Sequence, residues 1–447
     1  MSPIKFFFLF LILSNKGFCQ TNFDFESLYN ETLRNNYLLK KKELEFKKAY
    51  NEYQKGKLYF LGKVSGGFSN SFLWGRFVDP YTYNYSNGRL YTNTFYLNSS
   101  ITLYNGRKYS NLQKSLKVDS DLASNQLESQ KLELKRKLLN EVISYYLYSE
   151  QFVIISSQIE ETKSEIVNVK KLIDAGILTE SKIFEFISLQ KMQEAFLEEI
   201  INKRIFAENN IVNLSGVENI GSVLNPVNYE IDSVSVNINQ IEQILDDIII
   251  QSNEYQSLNL SLLKAHFNLQ ASYSNFLPEV KLLSSVYSGY SSKRYDYSNP
   301  LNIVPVPYFK QYYQNFNQSI SLAVNVPIFN GFENHYVTNN AKLNTVILEM
   351  DKQNFVQNKK SELREIILRY KIGKANYDAS LFKYRKCEIL FKEDSQKFFN
   401  GRLKLSDYFI TKLNYNNANI EVIQRKYDLI LNHNLININI GMPIILN

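Results

Sequence analysis

The sequence predicts a mainly α-helical chain with a small membrane β part, four strands in all, written as two copies of one unit. Three observations predict it. Breakers are scarce, 16 Gly and 9 Pro in 447 residues, so elements must run long. Glycine landmarks recur at one spacing. Two separate regions alternate apolar and polar residues with period two, as strands with one apolar face do.

The N-terminus comes first. Residues 1–19 have the form of a secretory signal peptide: Lys5, an apolar run from Phe6 to Leu13, then Gly17-Phe18-Cys19 before Gln20. The run is too short to span a bilayer as a helix. Cys19 has two readings, the last residue before cleavage or a lipid-bearing cysteine. Lipidation calls for a small residue before it, and Phe18 is not small.

The duplication follows. Gly106 and Gly331, Gly176 and Gly401, and Gly216 and Gly441 are each 225 apart (331 − 106, 401 − 176, 441 − 216). Fixed-period self-similarity marks a repeat architecture. The copies are expected at 20–216 and 237–441, with a linker at 217–236 and a tail at 442–447. Each copy runs helix, β-hairpin, long helix, helix. The hairpins are expected at about 58–105 and 280–330, the long helices at 107–175 and 332–400, and the last helices at 177–215 and 402–440.

The hairpins carry the membrane expectation. In 316–328 one face reads Phe316, Gln318, Ile320, Leu322, Val324, Val326, Ile328, and the other is mostly polar. Residues 94–104 and 58–74 alternate similarly, and Phe72, Trp74, Tyr96 and Phe316 are candidates for the membrane interface. After residue 19 no apolar run approaches the ~18 residues of a spanning helix, so a spanning segment must be β. Four strands cannot close a barrel, since about eight is the smallest single-chain number. Either the strands form a soluble sheet or several chains share one barrel.

The long helices would reach roughly 100 Å at ~1.5 Å per residue. Such helices need lateral partners, and the stripe Leu127, Leu134, Leu138, Val142, Tyr145, Phe152, Ile155 supports coiled-coil-like packing.

Chemistry is sparse. The net charge of +7 is too mild and too dispersed for a nucleic-acid surface. Cys19 and Cys387 make no disulfide framework, and His266, His335 and His433 are scattered, so neither a metal site nor a cofactor is expected. No nucleophile–base set or phosphate loop is present, which argues against an enzyme.

Several local motifs resemble the TolC-like outer-membrane efflux family. Leu277-Pro278 looks like its helix-to-strand junction. Val326-Pro327-Ile328-Phe329-Asn330-Gly331, echoed by Leu103-Tyr104-Asn105-Gly106, looks like its strand-to-helix junction. Asn400-Gly401 through Leu405-Ser406-Asp407-Tyr408 looks like its periplasmic tip, and Tyr427-Asp428-Leu429 with Asn439-Ile440-Gly441 like its last helix. The likeness covers nearly all of the mature chain. It implies a homotrimer whose hairpins pool into one outer-membrane β-barrel and whose helices form an α-helical barrel in the periplasm. It implies a channel of an efflux or type I secretion system, partnered by a periplasmic adaptor and an inner-membrane transporter.

The resemblance also implies a gate at the tip. Asp407 falls on an acidic position that rings the constriction in the family. The second acidic position falls on Ile410, the matching first-copy position on Lys182, the tip arginine on Leu403 beside Arg402, and an aromatic position on Phe398. Asp407 has a second reading, a first-turn acid favoured by the helix dipole. Lys182 is either a partner for Asp407 or a solvated surface lysine. Tip turns are assigned to Gly176 and Gly401, and strand–helix junctions to Gly106, Pro278, Pro327 and Gly331. The rival to the whole reading is a soluble periplasmic or surface coiled-coil scaffold or adhesin, which would tolerate charges on the apolar strand faces.

Overall fold

The computed structural model describes residues 24–79, 83–218, 242–299 and 301–446. The signal segment and nearly all of the 217–236 linker lie outside them. The elements are α1 (Phe25–Asn35), α2 (Tyr37–Lys57), β1 (Lys63–Val78), β2 (Tyr85–Tyr104), α3 (Lys108–Asp174), α4 (Ser181–Ser215), α5 (Leu245–Gln251), α6 (Asn253–Tyr273), β3 (Glu279–Ser291), α7 (Tyr308–Gln314), β4 (Asn317–Asn325), α8 (Glu333–Phe399) and α9 (Leu405–Ile440).

The opening helix of each copy is broken at a capping residue. Asn36 ends α1 and restarts the chain as α2, its Oδ1 accepting from the N–H groups of Leu38 (3.0 Å) and Leu39 (3.2 Å). Ser252 does the same between α5 and α6, its Oγ accepting from the Tyr255 N–H at 3.3 Å. Short polar side chains favour these N-cap positions because they satisfy N–H groups that the helix leaves unpaired. The break interrupts a segment that lacks Gly and Pro, so the breaker signal alone could not locate it.

The first hairpin begins at Lys63 rather than near 58. Leu58–Phe60 close a 3₁₀ turn, with the Leu61 N–H donating to the Leu58 carbonyl at 2.9 Å. In the second hairpin the connection is not all loop. A two-residue ribbon pairs Tyr295–Asp296 with Val304–Pro305, and α7 starts directly after Pro307. A proline just before a helix has a fixed φ that suits the entry.

Two pairs of helices repeat with matching ends. Helix α2 maps onto α6 with a shift of 216 (253 − 37 and 273 − 57), and α3 onto α8 with a shift of 225 (333 − 108 and 399 − 174). The extra nine residues (225 − 216) enter in the second hairpin. The registers obey both shifts. Lys63 pairs with Ser100 and Glu279 pairs with Asn325, where 279 − 63 = 216 and 325 − 100 = 225.

The described residues group into two compact units. One holds the sheet with the flanking parts of the helices, residues 42–128 and 250–357. Its four strands are antiparallel in the order β1-β2-β3-β4, so the two hairpins join edge to edge through β2 and β3. In this unit α3 and α6 are zipped by polar side chains, Lys264 to Asp119 (2.6 Å), Ser115 to Asn268 (2.7 Å) and Asn125 to Ser257 (2.8 Å).

The other unit, drawn from residues up to 41, 129–249 and 358 onward, is helical. Its core is a series of clusters along α3, α4 and α9. Leu138, Leu139, Val142, Ile211, Tyr427 and Ile430 are buried together with Phe25 and Leu28 of α1. Ile155, Ile159 and Ile200 make a second cluster, and Val169, Phe186, Phe398, Leu405 and Tyr408 a third at the helix ends. Each buried aliphatic or aromatic side chain contributes about 1.5–3 kcal/mol, spread along the helices as coiled-coil-like packing requires.

Candidate functional site: a two-faced sheet and the helix ends

Opposed residues in a ladder point to the same side, so register sorts the sheet into faces. One face carries Val64, Phe68, Phe72 and Trp74 of β1, Phe95, Leu97 and Ile101 of β2, Leu282 and Val286 of β3, and Ile320, Leu322 and Val324 of β4. The other carries Ser65, Ser69, Ser71, Thr94, Asn98, Ser100, Ser285, Ser319 and Ser321. A hollow of about 370 Å³ lies at this face, lined by Lys63, Ser65, Asn98, Ser100, Ser285 and Ser319 among others.

The apolar face is bare. Trp74 is 71 % exposed and Ile320 76 % exposed. A soluble sheet would bury such a face against a second layer, and exposed apolar patches of this kind mark an interaction surface or a membrane. From Val64 to Trp74 the face runs 11 residues, and about 9–11 tilted residues cross a hydrocarbon core. A polar exception on this face, Asn70, accepts from the Tyr91 hydroxyl at 3.2 Å and from the Asn93 amide.

At the loop end of that face aromatic rings form a row across three strands. Phe72 lies 6.4 Å from Trp74 and 4.8 Å from Tyr91, Tyr91 lies 6.0 Å from Tyr290, and Tyr290 lies 4.7 Å from Tyr308 of α7. Phe72 and Trp74, two of the interface candidates, belong to this row, and Phe316 is exposed just before β4. Tyr96 does not join them. It lies on the polar face, its ring covering Gly67 so closely that an added Cβ has no room. A ring laid over a strand glycine fills the gap that the missing side chain leaves.

The strand-to-helix junctions differ between copies. Gly106 (φ +63°) packs against Leu277, which precedes Pro278, and its carbonyl accepts from the Ser274 hydroxyl at 2.6 Å. Gly331 (φ +66°), four residues after Pro327, has nothing within 4 Å of where a Cβ would stand. Around it Ile328, Phe329 and Phe332 are exposed.

The helix ends of the other unit carry the tip residues. Gly176 (φ +73°) and Gly401 (φ +70°) occupy equivalent turns, closed by Ile177 N–H to the Leu172 carbonyl (2.9 Å) and Arg402 N–H to the Lys397 carbonyl (2.8 Å). These are the long-range bonds of a left-handed C-terminal cap. Asp407 is exposed in the first turn of α9, next to Ser406, whose hydroxyl reaches its carboxylate at 3.4 Å. Lys182 pairs with Glu185 on its own helix at 2.9 Å and not with Asp407. Arg402 is exposed, and Phe398 is buried, stacked on Tyr408 at 4.7 Å.

The structure brings together a group that sequence reasoning missed. Lys412 is completely buried and forms an ion pair with Glu165 of α3. Its Nζ also donates to Thr162 Oγ1 at 3.1 Å, and the Tyr408 hydroxyl donates to the other Glu165 oxygen. Burial, then the Glu165 charge, push the Tyr408 phenol far above its ordinary range, so it stays a donor. Burial also raises Glu161 beside them. The faint signal was spacing: Leu405, Tyr408 and Lys412 share one helical face, and two of the three are apolar or aromatic.

Among the described residues no group of three or more His, Cys, Asp or Glu is placed to hold a metal ion. Among them no helix is long and apolar enough to cross a membrane.

No protein-family model matches the sequence, and no curated protein matches it. Solved structures do. The chain is similar to CusC, described as forming a transmembrane channel, with a TM-score of 0.80 at 14 % identity over 95 % of this chain and 94 % of that one. The CmeC outer membrane channel of Campylobacter jejuni gives a TM-score of 0.77 at 15 % identity, over 93 % and 85 %. The outer membrane protein VceC of Vibrio cholerae gives 0.77 at 11 % identity, over 94 % and 97 %. Likeness at these identities establishes the fold, which is that of TolC-like outer-membrane channels.

Proposed function

We propose that this chain is one third of an outer-membrane exit channel of a tripartite efflux or type I secretion system. It passes substrates delivered by an inner-membrane transporter and a periplasmic adaptor, and it catalyses nothing. The bare apolar face of the sheet would meet lipid and the polar face would line the pore. A soluble scaffold or adhesin leaves that apolar face unexplained.

The register carries the assembly. Mapping β1 onto β3 and β2 onto β4 advances along the sheet in one direction, so it is a head-to-tail operation. Repeated, head-to-tail contacts close rings. The same operation turns the β2–β3 pairing into a pairing of β4 with β1 of a second copy. Thr94↔Gly289 becomes Ser319↔Leu73, and Asn98↔Ser285 becomes Ala323↔Ser69. Apolar residues then meet apolar ones, with Ile320 beside Phe72 and Val324 beside Phe68. The exposed β1 and β4 edges, a hazard in any isolated sheet, are paired. Two copies would give eight strands and three would give twelve; the family resemblance favours three.

Cysteine pairs test it. With Cys387→Ser as background, Ala323→Cys plus Ser69→Cys is expected to give disulfide-linked trimers on a denaturing gel, whereas Ala323→Cys plus Ser65→Cys is not. Linked dimers alone as the end product would require an eight-strand ring. No linkage, with water-soluble oligomers that need no detergent, would return the scaffold. For transport, purified trimers in a planar bilayer are expected to form stable cation-leaning pores. Asp407→Lys is expected to lower or reverse that preference, because three carboxylates ringed at the tip would attract cations. An unchanged preference would leave Asp407 as a helix-dipole acid only, and Lys182, Arg402 and Phe398 without a gating role through it.

A further inference from the structure

In the helical unit α4 meets α9 at Phe186 and Phe409, ring centroids 4.7 Å apart. Further from the helix ends a hollow of about 340 Å³ is lined by side chains of α3, α4 and α9. Three amides stand in its lining, Gln158 of α3, Gln193 of α4 and Asn416 of α9. Each is at most 7 % exposed. Gln158 Nε2, both amide atoms of Gln193 and Asn416 Oδ1 are buried with no hydrogen-bond partner among the described residues. Buried polar atoms are nearly always paired, so a group of orphans asks for an occupant. Gln193 decides which kind. Whichever way its amide is turned, one donor and one acceptor stay unpaired.

The fold does not itself require these amides. The repeat shift carries Gln158 to Lys383, Gln193 to Ala418 and Asn416 back to Lys191 (158 + 225, 193 + 225, 416 − 225). Lys383 is exposed and pairs with Glu421 at 2.7 Å, and Lys191 is exposed and pairs with Glu194 at 2.8 Å. Ala418 is buried and has no polar side-chain atom. The same helix positions are thus filled in the other repeat without a buried amide. Burying polar atoms unpaired is costly, and the first set keeps them all the same.

We propose that this hollow binds a small uncharged molecule carrying a carboxamide on an apolar body. The carbonyl of such a guest accepts from Gln193 Nε2 while its N–H donates to Gln193 Oε1. Gln158 Nε2 and Asn416 Oδ1 offer a second donor and a second acceptor. Phe196, Leu413 and Met192 supply apolar lining, and the flexible thioether of Met192, which is exposed, adapts to the guest. The volume is at the lower end of small-molecule sites, roughly 300–1,000 Å³. Among the lining residues the charge is Glu421, already held by Lys383. An ionised guest would lose hydration and gain no free counter-charge. The site lies within one chain, so it stands apart from the trimer proposed above.

The probes are benzamide, its methyl-ketone isostere acetophenone, and benzoate. Each is titrated into the detergent-purified full chain and followed by ligand-observed NMR, with empty micelles subtracted. Benzamide is expected to saturate with a Kd of about 1 mM, reasonable for so small a ligand. Acetophenone lacks the N–H donor and benzoate is charged, so both are expected to bind at least tenfold more weakly. Met192→Trp fills the hollow and is expected to weaken benzamide at least tenfold. Gln193→Leu removes the two-point contact and is expected to bring benzamide and acetophenone to equal affinity. Circular dichroism checks that each variant is folded, and the probe comparison on the unaltered chain stands whether or not they are. Benzamide that fails to saturate, benzamide and acetophenone binding alike to the unaltered chain, or benzamide binding unchanged in folded Met192→Trp would each overturn the proposal. The first result would leave the amides to bound water alone.

Discussion

The two strand-to-helix junctions have the same backbone and opposite surroundings. Gly106 and Gly331 differ by only 3° in φ (66 − 63). Yet Gly106 lies under Leu277 and Gly331 lies open beside exposed Ile328 and Phe329. The repeat shift of 216 that links β1 to β3 places Leu61 where Leu277 stands, and Leu61 is exposed too. The same contrast recurs along the helices at the seam of α3 with α9, where Glu165 is held in a buried ion pair by Lys412 while Leu390, its counterpart 225 residues on, is exposed and apolar. A surface left open in one repeat is thus the counterpart of an interior already filled in the other. The lesson is that a repeat protein's own core describes the contacts its open ends require.

Breaking the filled seam should have the largest effect. Lys412→Ala leaves Glu165 buried without its cation, and losing one partner of a buried ion pair costs about 3–5 kcal/mol. A chemical melt followed by circular dichroism should show that loss in the helical unit. The double variant Lys412→Met with Glu165→Leu should recover most of it, because neither charge is then stranded. Equal stability of Lys412→Ala and the wild type would mean that the pair is solvated and the seam not clamped.

The junctions give the next comparison. A non-glycine residue in the left-handed region costs about 1–2 kcal/mol, and Gly331→Ala should lose no more than that in the dissociated chain. Gly106→Ala adds a Cβ 2.8 Å from the Leu277 Cβ, and such overpacking adds about 1–3 kcal/mol. Denaturant midpoints of the two variants should therefore be well separated in the single chain. They should converge in the assembled channel, where Leu61 of the neighbouring copy would cover Gly331. Persistent separation in assembled protein would break the equivalence of the two junctions.

Much of the fold was legible, and the reasons are specific. Few breakers made the long helices visible, period-two alternation made the strands visible, and repeated Asn-Gly and Gly landmarks exposed the duplication. The breaks at Asn36 and Ser252 were hidden because a cap needs only one short polar side chain, and such residues are common on solvated helices. Helix α7 was hidden inside a proline-containing connection. Tyr96 fits the membrane interface by residue type but not by parity, since it alternates with Thr94 and Asn98 on the polar face. At the tip, the exposed charges are the ones a sequence makes conspicuous. Lys412 and Glu165 are not, because each resembles the many solvated Lys and Glu of these helices. Only the three-dimensional packing of α3 on α9 shows that their positions face inward.

Smaller effects sharpen the seam further. Tyr408→Phe keeps the ring that stacks on Phe398 and removes only the donor to Glu165. A lost hydrogen bond to a buried charged group costs about 1.5–3 kcal/mol, so the variant should fall between wild type and Lys412→Ala. A shift as large as that of Lys412→Ala would mean that the hydroxyl, not the lysine, holds the carboxylate.

The smallest expected effect comes from a position where the repeats differ in a titratable group. His433 on α9 is buried, its ring 5.9 Å from Tyr370, whereas the first repeat holds half-buried Glu208 at the position 225 earlier. Burial lowers the His433 pKa below its ordinary value of 6.5. The imidazole is then neutral in the fold and protonates more readily in the unfolded chain. Its contribution is complete above about pH 6.5 and is lost as pH falls towards the folded value, because the unfolded state binds the extra proton. The slope for one proton is at most about 1.4 kcal/mol per pH unit. Unfolding free energies between pH 7 and 5 should therefore fall less steeply in His433→Phe than in the wild type. Since Glu161 is shifted the opposite way by its own burial, its stabilising protonation strengthens as pH falls, and only the difference between variant and wild type isolates the histidine. Identical slopes would mean that His433 stays accessible to solvent protons in the folded chain.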